Sequence, residues 1–312
     1  MHRKQRKEFL TYDEQIDHLI SKKMIIKNRQ VAIEFLKRYS YYGSVSAYKN
    51  IFKLIPNGDY IEGTTFEQII SLYYFDKYLR VLFLRNILVV EDHIKSLYSY
   101  HFCELIGKKP ADYLIAENYN FRQYENGVQE LLVKLNEVIN KPATGYIKYN
   151  VEHYGEVPLW VLIHALTLGN LSKMYEFSQQ RLQSAIAKNF NSKEIYPNNL
   201  KSMLKMLAKF RNVCAHNERL YSYKTRTYIN DMPIHKCLKI DLKGDMYKYG
   251  KNDLFAIIII LKYLLPEEEF KTFIIELSVL IENVKNSLPD EIFNKFFDEM
   301  GFPDNWQTIS CL

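Results

Sequence analysis

From Phe66 to about Glu104, apolar residues recur at helical spacing, and punctuation arrives only at Gly107 and Pro110. A run of that length predicts a long helix, broken at most once, because strands seldom exceed about ten residues. The rest of the chain is short of turn formers too. Glycine and proline together supply 11 + 9 = 20 of the 312 residues, about half of the roughly 12% in average usage. Such scarcity excludes collagen-like and low-complexity chains and disfavours a many-turned β sandwich. The expected fold class is all-α. With 47% hydrophobic residues there is ample material for a core, and aromatics at 14% are mostly tyrosine, which suits half-buried surfaces.

Local signals place the other helices. Thr11 with Glu14 three residues on is a capping box, and Ile16, Leu19 and Ile20 give the helix behind it an apolar face. Asn28 precedes a second helix carrying Val31, Ala32, Phe35 and Leu36, which ends in Tyr39–Gly43. A loop containing Pro56, Asn57, Gly58 and Asp59 leads into the long helix. Further helices are predicted over Asn126–Val138, Leu159–Leu168 behind Pro158, and, after Gly169 and Asn170, through Leu171, Met174, Tyr175 and Phe177. Asn198–His216 is strongly amphipathic, with Leu200, Met203, Leu204, Leu207, Phe210 and Cys214 on one arc. An irregular polar stretch then runs to Gly250, followed by helices over Asp253–Leu265 and Glu267–Asn283, the latter opening on three glutamates that compensate its dipole. No repeat or long linker divides the chain, so one domain over 1–312 is expected, its core at about 10–230 and its C-terminal helices, 250–312, packed on it.

Basic residues exceed acidic ones by 42 − 36 = 6, which fits a local basic face rather than a polybasic tail. The N-terminal Met1–Lys7 segment is basic but is followed by Thr11, Asp13 and Glu14 where a secretion signal would be apolar. The most apolar stretch, Ala256–Leu265, is too short to span a bilayer. The four cysteines lack CxxC pairing, and His93 and His101, eight residues apart, lack ligand spacing, so neither metal nor cofactor is expected. A reducing, cytoplasmic setting without membrane partners follows.

One segment carries chemistry: Lys209-Phe210-Arg211-Asn212-Val213-Cys214-Ala215-His216-Asn217-Glu218-Arg219-Leu220-Tyr221. Arginine offers a fork of charged donors to phosphate oxygens, and histidine titrates near neutrality as base or acid. Asn212 can orient either group or bind a backbone oxygen. At about 100° per residue, Arg211 lies at the edge of the apolar arc and His216 roughly 140° away, near Lys205 and Lys209. The two do not share one stripe of a straight helix, so either the helix loosens near Ala215 or the motif lines a cleft between two copies. The bland alternative is that Arg211 pairs with a carboxylate of the long helix, such as Glu91, and His216 merely ends its helix at the favourable pole of the dipole. The row Lys201, Lys205 and Lys209 suits RNA phosphates, with Lys205 and Lys209 the better candidates beside Arg219. The tyrosines at 39–42 and 73–74 are expected to pack in the core, as is Cys214.

The segment Arg211-Asn212-x3-His216 resembles the R-x4-H motif of HEPN ribonucleases. In order along the chain, Leu10–Ile16, Phe35–Tyr42, Leu72–Arg80, Pro158–Trp160, Leu168–Tyr175 and Arg211–His216 resemble the Abi-like group, the AbiD and AbiF abortive-infection proteins of bacteria. Two positions depart from that pattern: His164 stands where many relatives carry an acidic residue, and Asn217 where a second histidine is common. The resemblance implies a HEPN-like helical bundle with extra N- and C-terminal helices and phage defence by metal-independent RNA cleavage. It implies catalytic Arg211, Asn212 and His216, a homodimer and, in some relatives, a bound noncoding RNA. The competing expectation is a noncatalytic RNA-binding or protein-interaction module in which the Arg–His pair is structural.

Overall fold

The computed structural model describes residues 8–55, 58–109, 111–190 and 192–312. Met1–Lys7 and the loop residues Pro56, Asn57 and Pro110 lie outside the described residues. The fold is all-α: among the described residues the only sheet is a two-stranded hairpin. The chain divides into two compact units, residues 1–79 with 276–299, and residues 80–275 with 300–312.

In the first unit, α1 (Tyr12–Ser21) starts where the sequence places it. Thr11 accepts from the Glu14 amide while Glu14 returns the bond to the Thr11 amide at 2.7 Å. Asn28 caps α2 (Arg29–Tyr39) through the Val31 amide, and Arg29 ties the two helices together by pairing with Asp13 and Asp17. At Ser40 the chain takes a positive φ of 54° and the helix stops. The tyrosines that follow face inward in part. Tyr39 and Tyr73 stand with ring centroids 4.7 Å apart, Phe35 packs on both, and buried Tyr48 donates to Asp76 at 2.7 Å. Tyr42 is exposed.

The long helix α3 (Phe66–Leu105) is continuous over 40 residues. Its residues from Arg80 onward belong to the second unit, where α4 (Phe121–Asn140) follows. Regular geometry in α4 resumes only after Tyr124, whose φ and ψ of −129° and 37° kink the helix, so periodicity marks its start late. Gly127 is required there, since a Cβ would come within 2.6 Å of the Phe177 ring. After α5 (Gly145–Tyr154) and α6 (Leu159–Leu162) the backbone leaves the helix at Leu166, and Thr167 caps α7 (Leu168–Phe177) by accepting from Asn170. The break thus falls at Leu166–Thr167, and Gly169 and Asn170 lie in the first turn of α7. A short α8 (Gln180–Ala187), unpredicted, leads to α9 (Pro197–Ala215).

The polar stretch after Leu220 contains α10 (Pro233–Cys237) and the hairpin of β1 (Leu242–Lys243) and β2 (Met246–Tyr247), with Leu242 opposite Tyr247. Buried His235 holds it in place, bonding the Gly250 carbonyl through Nε2 at 2.9 Å and stacking on Tyr247. Then come α11 (Leu254–Leu264), α12 (Glu267–Lys285) and α13 (Asp290–Met300), the last without a sequence forecast. The apolar run in α11 is buried on every side from Leu254 to Leu261, which explains its composition. Among the described residues no helix is long and apolar enough to cross a membrane.

Asp253 caps α11 while 2% exposed, accepting from the Ala256 and Gly250 amides. Burial pushes its carboxyl up to about 6. A raised carboxyl contributes stability that is fully present below the unfolded pKa and is lost as pH climbs through the folded one. Between about pH 4 and 6 this group alone should therefore cost the fold on the order of 2–3 kcal/mol. Asp253→Asn is expected to remove that component, so urea melts of the variant and parent should diverge across this window. Parallel profiles would refute it.

Candidate functional site

Helix α9 positions the motif because its buried arc is long and strict. Leu200, Met203, Leu204, Leu207, Phe210, Val213 and Cys214 are all buried, and they pack chiefly against α7, with α8 and α11 also in contact. Burying one such side chain is worth about 1.5–3 kcal/mol, so the rotation of α9 about its axis is fixed by many anchors at once. That rotation decides which way the motif residues face. Asn212 and His216, one turn apart, fall on the outer side and are exposed, together with Lys209, while Arg211 is half-buried at the arc's edge.

His216 is the residue at which α9 ends, with φ and ψ of −92° and 7°. The next residue, Asn217, has a left-handed φ of 56°. Its amide donates to the Cys214 carbonyl at 3.3 Å and that of Glu218 donates to the Val213 carbonyl at 3.1 Å. This pair of bonds is a Schellman stop, which favours glycine or asparagine at the left-handed position. Asn217 thus has a backbone role. Asn217→Gly should leave the melting temperature nearly unchanged, whereas Asn217→Val should lower stability by about 1–2 kcal/mol. Equal melting temperatures for the two variants would contradict this reading.

None of the Arg211, Asn212 and His216 side chains has a hydrogen bond or ion pair among the described residues, and Arg211 Nε is buried without a partner. Glu91 does not supply one: it is 4% exposed and pairs with Lys95 one turn along α3, at 2.7 Å. A buried donor left unbonded costs about 1–3 kcal/mol, a cost the half-buried Arg211 side chain bears at Nε. Along the axis of α9, Arg211 and His216 are separated by about 7.5 Å.

The surrounding cations differ in availability. Lys205 is engaged, its Nζ 2.5 Å from Glu176 on α7. Lys209 is exposed and donates to Thr227 Oγ1 at 2.8 Å. Arg219 is half-buried, its guanidinium 5.6 Å from the centroid of the buried Tyr221 ring. Lys201 is half-buried, and His164 is exposed on the turn after α6. Arg80, 4% exposed on α3, donates from Nη1 to the Glu218 carbonyl at 3.2 Å and so steadies the segment leaving His216. Sequence reasoning gave Arg80 no role, although it closes one of the resembling segments.

Other sequence candidates sit apart from this site. His93 packs edge-on against Phe190, and His101 bonds Glu104 and Asn189. Among the described residues no group of three or more His, Cys, Asp or Glu side chains is arranged to hold a metal ion.

Comparison with curated proteins and with solved structures returned no match. Residues 34–222, more than half of the chain and including the end of α2, the long helix α3 and the whole of α9 with its motif, match the Abi-like protein family. The chain therefore belongs to the Abi-like protein family.

Proposed function

We propose that this protein is an endoribonuclease acting in abortive infection, with Arg211, Asn212 and His216 as its HEPN-type active residues and a second copy of the chain completing the site. Membership of the Abi-like family supports the abortive-infection role at family level. The observation that carries the catalytic reading is that the Arg211, Asn212 and His216 side chains form no hydrogen bond or ion pair among the described residues, with Arg211 Nε buried and unbonded. A structural arginine and histidine would be consumed by carboxylates or carbonyls of their own chain.

In this mechanism a neutral imidazole takes the proton of an RNA 2′-hydroxyl, whose oxygen forms a new bond to the adjacent phosphorus. The bond from phosphorus to the 5′-oxygen breaks, and an imidazolium gives that oxygen its proton. The products are a 2′,3′-cyclic phosphate and a 5′-hydroxyl. The Arg211 guanidinium binds the phosphate oxygens as charge builds on them, and Asn212 holds a backbone oxygen. Because each chain carries one motif histidine, base and acid come from two protomers. Lys209 and Arg219 track the RNA backbone, as does Lys205 when released from Glu176.

The purified protein is expected to cleave single-stranded RNA in EDTA and to leave cyclic phosphate ends, because base, acid and cation are all side chains. Strict dependence on added Mg²⁺ or Mn²⁺ would overturn this mechanism.

A further inference from the structure

The second unit holds a cavity of about 700 Å³, between the chain that links α8 to α9, α10, the junction of α11 and α12, and the last turn of the chain. That volume falls within the range of small-molecule sites, about 300–1,000 Å³. Its walls combine rings and aliphatic groups, among them Phe190, Ile234, Leu264 and Phe270, with a few polar groups.

The polar groups are unequal. Glu267 is held by Lys271 at 2.8 Å, and the Lys262 ammonium leans over the Phe270 ring, 5.3 Å from its centroid. Glu194 differs from both: it forms no ion pair among the described residues, and Ser192 Oγ donates to its Oε2. That bond, with the residue's own amide, holds its carboxyl below the usual carboxylate range, so it is ionised at neutral pH. Close by, burial and the charge of Glu194 push the Tyr263 hydroxyl up to about 12, which keeps it neutral. A preoriented carboxylate that no cation contacts directly among the described residues, although Lys193 lies near enough to favour its charge, beside a neutral hydroxyl and aromatic walls, matches a positively charged donor attached to an apolar body.

We infer that this cavity is a binding site for a small organic amine, its ammonium on Glu194 and Tyr263 and its apolar body against Phe190, Ile234 and Phe270. The site is independent of the RNA-cleavage reading. Its walls also carry a built-in reporter: Cys237 and Cys311, the two exposed cysteines, both line it, whereas Cys103 is half-buried elsewhere and Cys214 lies in the core of α9.

The test uses the full chain, with phenethylamine as probe and 3-phenylpropionate, of similar shape and opposite charge, as control. Calorimetry should detect phenethylamine binding, and mass spectrometry should show slower iodoacetamide alkylation of Cys237 and Cys311 with Cys103 unaffected. The control should neither bind nor protect. Glu194→Gln, which keeps the size of the side chain, should weaken phenethylamine by about tenfold or more, and Ile234→Trp, which fills the cavity, should abolish binding while the melting temperature reports folding in each case. Absence of amine binding to the parent chain would overturn the inference. Equal binding of the carboxylate, or unchanged affinity in the Glu194→Gln variant, would do so as well.

Discussion

Arg211→Ala and His216→Ala are each expected to abolish RNA cleavage and growth arrest while leaving the fold intact. Loss of a general acid or base costs about 10²–10⁴ in rate, and loss of a donor to the transition-state oxyanion about 10²–10³. Groups that act as one unit fail together, so the double variant should be little worse than either single one. The stability side of the expectation comes from the structure. Arg211 Nε is buried without a bond, so deleting the side chain removes an unpaid desolvation cost along with some packing of its stem. His216 is exposed at the end of α9, where substitutions usually fall within about 0.5 kcal/mol. Thermal melts of the variants should therefore overlay the parent. A sharp fall in melting temperature together with activity would assign both residues a structural role.

The largest stability effect is expected at the buried pair Glu91–Lys95. Both residues are nearly inaccessible, at 4% and 6% exposed, and Glu91 Oε2 has no partner. Lys95→Ala would leave the Glu91 carboxyl inside the second unit without its ion-pair partner, and breaking such a buried pair costs about 3–5 kcal/mol. Replacing both residues by apolar ones of similar volume, Glu91→Leu with Lys95→Met, removes charge and countercharge together, and comparable exchanges are neutral or stabilising by about 1–4 kcal/mol. Chemical denaturation of the single and double variants should thus rank the double above the single. The reverse order would contradict this account of the pair, because it would mean that an unpaired buried Glu91 costs less than exchanging both side chains for apolar ones.

The parts of this fold legible in the sequence are those with local causes. Thr11, Asn28 and Asp253 cap helices where short-range hydrogen bonding alone predicts them, and the periodicity of Leu200 to Cys214 locates α9 to within a residue at each end. What escaped depends on contacts made by residues distant in sequence or on brief signals. Helix α8 spans eight residues, too few turns for periodicity to register. Gly169 and Asn170 look like punctuation while Thr167 does the capping, so the sequence alone extends α6 too far. At the site, the motif itself was readable, including the exposure of His216 beside Lys209. Its surroundings were not. Glu176 reaches Lys205 across 29 residues and Arg80 reaches Glu218 across 138, distances over which spacing carries no information. Asn217, read as a departure from a two-histidine pattern, acquires its physical meaning only from its left-handed backbone.

RNA cleavage through His216 is tested by mapping RNA 5′-hydroxyl ends in cells producing the parent protein or its His216→Ala variant at equal levels. New 5′-hydroxyl ends, each matched by a 2′,3′-cyclic phosphate on the upstream fragment, are expected in cells with the parent protein and none above background with the variant. Growth arrest without such ends, or the same ends in both, would contradict cleavage through His216.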